Sequence, residues 1–294
     1  RECSSLPWAK NDIALCTCWW SAYLVQSEAS ARLAYGRGFN PLVYLIQDYE
    51  PGFYAWSSQY LLSDSTYKSD VPTIAVFNSN ELKDYFIKNE YHFVRSYYFN
   101  PMLNGVLAGH LRKLEGKAGK RRQVLVYGRP GTPRNAFSLV VEMLREWIEF
   151  DDASMQWDFI SAGEEHPAVL LAKGRYLTSV GKLTLDEYAR VLSESAIGIS
   201  LMVSPHPSYP PLEMAAFGAK VITNGYQNKN LSISFSDNIY SLDPFTIREA
   251  SKLLSKLSAE YSSEVPVGDV PPEYVSPTEP FPFLDELVSF LTDL

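Results

Sequence analysis

Cysteine and histidine are scarce in this chain, with three of the first and four of the second among 294 residues. Cys3, Cys16 and Cys18 form an odd set with no second pair to complete a zinc site, and Cys16 and Cys18 alternate within an apparent strand from Asp12 to Cys18. The expectation is buried free thiols in a reducing cytoplasm. His92, His110, His166 and His206 are widely scattered and lack the i, i+4 spacing of a helical metal pair, so neither a metal site nor a cofactor is expected. Basic residues are outnumbered: 26 Lys and Arg stand against 34 Asp and Glu, a formal charge of −8. Counterion release needs a broad basic face, so this balance excludes a nucleic-acid surface and confines any phosphate binding to a local cluster. No apolar run suits a membrane span. The longest, Ile13 to Val25, is broken by Thr17 and Ser21 and falls short of roughly 18 residues. A dinucleotide fingerprint is missing as well, because Gly36-Arg37-Gly38 leads into Phe39-Asn40-Pro41 without a third glycine. Arg1 is preceded by no Met and followed by no secretory leader, so the chain reads as a fragment.

What is present is enough apolar material, 46% of the residues, to fill two cores of ordinary size. Strand-like and helix-like segments alternate, the pattern of parallel sheets covered by helices. Asp12 to Cys18, Leu42 to Gln47 and Thr73 to Phe77 read as strands, with helices near Ser57 to Lys68 and from a cap at Asn78-Ser79-Asn80 to about Lys88. The polar, basic, glycine-containing run LRKLEGKAGKRR, Leu111 to Arg122, reads as an interdomain linker. The pattern restarts with QVLVY from Gln123, a GRPGTPRN loop and a helix from Ala136 to Phe150. Strands follow at Trp157 to Ser161, Tyr176 to Val180, Ala196 to Met202 and Lys220 to Thr223, with helices near Leu185 to Ser193 and Pro211 to Phe217, a doubly wound order. A helix near Thr246 to Tyr261, a Pro-rich connection and the amphipathic PFLDELVSFLTDL complete the chain. The expected domains are 1–112 and 113–294, the second including the final helix.

Ligands of open α/β sheets sit beyond the carboxyl ends of the strands, which directs attention to three loops of the second domain. Gly128-Arg129-Pro130-Gly131 offers close backbone approach and a planar fork of donors for phosphate oxygens, with Arg134 as a competitor that could only begin the next helix. Gly181-Lys182 holds a cation past a glycine turn, and with Arg129 on the same edge it forms a candidate pyrophosphate clamp that would stabilise charge growing on the departing diphosphate. Each cation alone reads equally as a solvated surface residue. Ser204 to Asn224, SPHPSYPPLEMAAFGAKVITN, joins a strand to a helix whose first turn suits Pro210 and Pro211. The N–H groups from Leu212 onward would face the ligand with the positive end of the helix dipole. Glu213 either complements that dipole or accepts ribose hydroxyls, and His206 either contacts the ligand or packs its ring on Tyr209. Gln47, Asp48 and Glu50 follow a first-domain strand; the turn at Pro51-Gly52 explains the two acids equally well.

Four segments together, YLIQDYEPGFYAWSS (Tyr44 to Ser58), YGRPGTPRN (Tyr127 to Asn135), SVGKLTLDEYA (Ser179 to Ala189) and ISLMVSPHPSYPPLEMAAFGAKVITN (Ile199 to Asn224), resemble a known family in order and spacing. It is that of the retaining GT-B glycosyltransferases of the fourth family, and within it the bacterial rhamnosyltransferases of surface-glycan and S-layer glycan assembly. The resemblance implies an α/β GT-B fold of two Rossmann-like doubly wound lobes, the first incomplete at its N-terminus. It implies transfer of L-rhamnose from dTDP-β-L-rhamnose to a hydroxyl of a saccharide or lipid-linked saccharide, in the cytoplasm or peripherally at the inner membrane face. Arg129 and Lys182 would then act on the diphosphate, Glu213 would hold the nucleoside sugar, and Gly128, Gly181, Ser204, His206, Tyr209, Pro211, Leu212, Gln47, Asp48 and Glu50 would line the substrates. One departure stands out: the first glutamate of the family's E-x7-E pattern falls on Pro205. Two other classes remain open, a sugar-nucleotide epimerase of the same fold and a noncatalytic nucleotide-sugar-binding module.

Overall fold

The computed structural model describes Ala9, residues 12–36 and residues 38–293. Cys3, and Arg37 of the Gly-x-Gly run, lie outside the described residues. The chain forms two compact units, one of residues up to 101 with 204–206 and 279–294, the other of 102–203 and 207–278.

The first unit holds β1 (Leu15–Cys16), α1 (Trp19–Ala34), β2 (Leu42–Ile46), α2 (Ser58–Tyr67), β3 (Thr73–Phe77), α3 (Asn80–Lys88) and β4 (Arg95–Tyr98). Its four strands are parallel and lie in sequential order β1-β2-β3-β4. The run TIAVF of β3 is buried at every position, as a strand covered on both faces must be. One face packs Tyr44, Ile46, Ala75 and Phe77 against Ala22 and Ala29 of α1, Tyr67 of α2 and Phe86 of α3. The expected strand from Asp12 to Cys18 is shorter, because Cys18 already occupies the cap position of α1. Cys16 is a buried free thiol whose ionisation burial pushes up to about 11.

The second unit continues through α4 (Gly105–Lys113), β5 (Lys117–Gly119), β6 (Arg121–Gly128), α5 (Phe137–Phe150), β7 (Asp158–Gly163), β8 (Val169–Leu170), β9 (Tyr176–Gly181) and α6 (Leu185–Glu194). It goes on with β10 (Ser195–Ile199), α7 (Tyr209–Ala216), β11 (Lys220–Asn224), α8 (Leu231–Ser234), β12 (Ile239–Leu242), α9 (Ile247–Ala259), β13 (Glu264–Pro266) and α10 (Pro272–Val275). Its sheet has the order β12-β11-β10-β6-β7-β9-β8, parallel but for β8. Side chains of β6 alternate between faces: Val124 and Val126 join Trp147 of α5 and Leu254 of α9, while Leu125 joins Leu107 of α4, Leu192 of α6 and Leu212 of α7. Strand order reverses between β6 and β10, which makes their carboxyl ends the switch point of the sheet.

Two expectations are corrected. Residues 111–122 are no linker: they form the end of α4, β5 paired antiparallel with β13, and the start of β6. The final helix, α11 (Leu284–Thr292), belongs to the first unit, where Leu287 packs on Val43, Ile74, Val76 and Tyr97, and Glu286 accepts the Tyr97 hydroxyl at 3.0 Å. An amphipathic pattern specifies that a face must be covered, not which sheet covers it. No helix among the described residues is long and apolar enough to cross a membrane.

Lys120, between β5 and β6, is 5% exposed, and its Nζ donates to the carbonyls of Leu192 at 3.0 Å and Phe217 at 2.7 Å. These carbonyls lie at the C-terminal ends of α6 and α7, where a cation suits the dipole. Burial nevertheless pushes the ammonium down to about 7. The unfolded chain therefore binds more protons than the folded one between pH 7 and the ordinary lysine value, and stability rises with pH across that window. In urea titrations, wild type should gain stability relative to Lys120→Met as pH climbs from about 7 to about 10. Parallel curves would show that Lys120 keeps its ordinary ionisation.

Candidate functional site

Of the expected site residues, Gly128, Arg129, Gly181, Lys182, Tyr209, Pro211, Leu212 and Glu213 belong to the second unit, on loops and the helix that follow strands β6, β9 and β10. The strand ends carrying Arg129 and Lys182 flank β7, in register through Gly128 opposite Gly163 and Ala162 opposite Gly181. Two strand spacings separate them, about 10 Å between backbones, a gap that two long side chains can span. Arg129 is half-buried and Lys182 exposed, and neither head group has a hydrogen bond or ion pair among the described residues. An anion between them would meet two cations not already neutralised by a carboxylate.

Glycine is required where these strands end. A Cβ on Gly128 would lie 1.8 Å from the Ser161 hydroxyl, and Gly181 sits at φ +65°, a conformation that side chains rarely adopt. The loop after β7 closes the gap between the two cationic loops. Glu164 N–H donates to the Gly128 carbonyl at 2.9 Å, and Gly131 N–H donates to the Glu164 carboxylate at 3.0 Å. This bond fixes the Arg129 turn and uses one amide that a phosphate could otherwise take. Ser179 Oγ donates to the Glu164 carbonyl at 3.2 Å and accepts from His166 N–H at 3.3 Å, tying the same loop to β9. His166 Nδ1 donates to the Pro167 carbonyl at 2.8 Å, so Nε2 of the neutral ring accepts the Ser161 hydroxyl at 2.9 Å. The sequence reading missed this loop because it ended the strand at Ser161; the glycine-then-charge pattern Gly163-Glu164 was the available signal.

β10 ends at Ile199, earlier than expected, and α7 begins at Tyr209, two residues before Pro211. Pro210 and Pro211 still occupy the first turn, so after Tyr209 the next residue able to donate an N–H is Leu212. The shift moves Glu213 out of the first turn, which removes simple dipole complementation as its explanation. Its carboxylate instead accepts the Tyr188 hydroxyl of α6 at 3.0 Å. Burial pushes this carboxyl up to about 7, the Tyr188 hydrogen bond opposing the rise.

Ser204, His206, Gln47, Asp48 and Glu50 belong to the first unit. Ser204 Oγ donates to Asp48 Oδ1, which also accepts Tyr49 N–H at 2.8 Å, and Ser204 Oγ accepts His206 N–H at 3.0 Å. Gln47 is exposed and donates to the Thr17 carbonyl at 3.0 Å. Glu50 is buried, its carboxylate accepting the hydroxyls of Tyr44 at 2.8 Å and Tyr67 at 3.4 Å, and burial holds its carboxyl above the usual range. The structure thus turns Glu50 into an aromatic core. No cluster of three or more His, Cys, Asp or Glu among the described residues could hold a metal ion.

Two parallel sheets with helices on both faces, and a switch-point edge carrying cations and a helix start, are the GT-B architecture. Residues 122–255 match the family model described as the WsaF C-terminal domain and residues 1–80 that of the WsaF N-terminal domain. It is 31% identical over 240 residues to the O-antigen biosynthesis protein RfbC of Myxococcus xanthus, covering 79% of this chain and 17% of that protein's length. A sucrose-phosphate synthase from Thermosynechococcus elongatus shares the fold at a TM-score of 0.64 and 13% identity, over 96% of this chain and 74% of the other. A UDP-forming trehalose-phosphate synthase from Burkholderia xenovorans does so at 0.61 and 11%, over 97% and 75%.

The half-buried Glu213 carboxyl gives a pH test of its environment. The folded protein binds the extra proton between the ordinary carboxyl value and pH 7, so the Glu213 contribution to stability falls as pH rises through that window. Glu213→Gln removes the fall, and above pH 7 the variant should unfold at higher urea concentration than it does relative to wild type at pH 4.5. A wild-type to variant difference that ignores pH would place Glu213 in open solvent.

Proposed function

We propose that this chain is the donor-binding and transferase part of a GT-B glycosyltransferase, with the donor diphosphate between Arg129, Lys182 and the N-terminus of α7, and the pentose on Glu213. The observation that carries the reading is the pair of cations, on the carboxyl edge of one sheet, without partners among the described residues. Fixed donors at that edge stabilise negative charge as it develops on the leaving diphosphate, without reorganisation during the reaction. The WsaF match and the likeness to a protein of O-antigen biosynthesis support bacterial surface polysaccharide synthesis as the setting. The four motif segments support the finer reading: L-rhamnose from dTDP-β-L-rhamnose, transferred with retention to a hydroxyl of a saccharide or lipid-linked saccharide at the cytoplasmic face. No protein nucleophile is assigned, and the diphosphate serves as base for the incoming hydroxyl.

Calorimetric titration with dTDP, UDP and GDP, alone and carrying sugars, tests the site. The protein should bind a nucleoside diphosphate, dTDP best. Arg129→Ala and Lys182→Ala should each weaken binding roughly 10- to 100-fold, as for loss of a charge-assisted contact. Wild-type affinity in both variants would remove the diphosphate clamp. Sugar analysis after incubation with donor alone distinguishes transfer from epimerisation.

A further inference from the structure

β12 is an outer strand of the seven-stranded sheet, paired with β11 on one side and with no strand on the other among the described residues. The pairing fixes which of its backbone groups look outward. Val221 N–H donates to the Asn238 carbonyl at 2.8 Å and Gly225 N–H to the Leu242 carbonyl at 2.9 Å, so the even-numbered residues of β12 turn their peptide groups toward β11. Alternation turns those of Ile239 and Ser241 to the open edge. Ile239 N–H is taken by the Ser236 carbonyl at 3.0 Å, whereas the Ser241 N–H and carbonyl have no partner among the described residues. Ser241 Oγ, by contrast, is committed to α8, accepting Leu231 N–H at 3.0 Å and Ser232 N–H at 3.3 Å.

This edge is not covered. It lies in a groove of about 400 Å³ between Ser232 of α8 and one side of α9. Leu231 of α8 packs into the apolar cluster on one face of the sheet and Leu254 of α9 into that on the other, so the groove straddles the strand. α9 lends it Glu249, Lys252, Leu253 and Lys256, an i, i+3, i+4, i+7 stripe. Lys252 Nζ holds the Glu249 carboxylate at 2.7 Å, and Lys256 has no ion-pair partner among the described residues. The stripe is acidic at one end and basic at the other. A partner of one charge sign would leave one end unmatched; the same stripe turned end for end matches both.

We propose that the β12 edge and this side of α9 form a two-fold interface between two copies of the chain. Residues directly opposite in an antiparallel pair exchange both backbone bonds, so two Ser241 residues facing each other across the axis satisfy both N–H groups and both carbonyls. The same axis lays the two α9 helices antiparallel on one face of the joined sheet. Glu249 of each copy then meets Lys256 of the other, the reciprocal contact that a two-fold interface requires. Because the sheets join antiparallel, their carboxyl edges point in opposite directions, and each copy keeps its own Arg129 and Lys182 edge. The proposal does not depend on the nucleotide reading.

Sedimentation equilibrium of the full chain at increasing concentration should show a reversible monomer–dimer equilibrium. Glu249→Lys and Lys256→Glu should each weaken its Kd roughly tenfold, since symmetry places every substitution at the interface twice. Combining the two exchanges the ends of the stripe and should bring Kd back to within about threefold of wild type. Exchange of the Ser241 amide should slow as the protein is concentrated, because its N–H gains a partner. A chain that stays monomeric overturns the proposal. So does a dimer whose Kd ignores both single variants, a double variant no tighter than the single ones, or a Ser241 amide whose exchange is independent of concentration.

Discussion

Charge left uncompensated at the carboxyl edge of a parallel sheet is the constraint on which the second unit turns. The chain as a whole is acidic, and several basic residues elsewhere are engaged: Arg121 with Glu194, Arg145 with Glu142, Lys173 with Asp152 and Lys252 with Glu249. Arg129 and Lys182 have no such partner among the described residues, although Glu164 and Glu165 stand in the intervening loop. The architecture achieves this by directing the Glu164 carboxylate into the Gly131 amide, where it braces the turn rather than neutralising the cation beside it. Gly128 is what permits so close an approach of the two loops, since any side chain there would collide with Ser161. Two positive charges without a partner among the described residues repel each other modestly through solvent, and an anion placed between them would relieve that repulsion.

Helices α6 and α7 are fastened to each other at two levels. At their C-termini Lys120 joins the last turns of α6 and α7 through the Leu192 and Phe217 carbonyls; along their bodies Tyr188 of α6 bonds Glu213 of α7. Neither bond is a surface ion pair open to screening, and both sit against the same apolar cluster. The orientation of the Glu213 carboxylate is therefore set by tertiary packing.

Much of this was legible in the sequence because hydrophobic runs and caps are local signals. β3 falls on Thr73–Phe77 as the apolar run indicates, and α3 and α9 start at the cap residues Ser79 and Thr246 whose side chains accept Leu82 and Glu249 N–H groups. The glycine-then-cation loops after β6 and β9 were legible for the same reason. Failures follow where the deciding interaction is distant. LRKLEGKAGKRR is polar enough to suggest a linker, yet Lys120 is buried because two helix ends need a donor, a demand set by residues 72 and 97 positions away. The start of α7 was misplaced because proline marks a first turn without fixing which of its positions it fills, and that two-residue slip changed the meaning of Glu213. The bond between Tyr188 and Glu213 joins segments with no shared motif. Only packing reveals it.

The acids after β2 of the first unit serve its own packing. A double displacement requires an ionised carboxylate open to the anomeric carbon. Glu50, the most conspicuous acid of the motif that follows β2, is enclosed in the aromatic core, with its carboxylate taken by two phenols and its ionisation disfavoured by burial. Exposing it would strand the Tyr44 and Tyr67 hydroxyls inside the core, a penalty of about 1–3 kcal/mol for each orphaned group. Asp48 is likewise enclosed, with one oxygen accepting both Ser204 and Tyr49. Acids fixed in this way organise their own unit better than they attack a sugar. Under the transferase reading proposed above, the proton of an incoming hydroxyl would then be taken by a group other than these two acids.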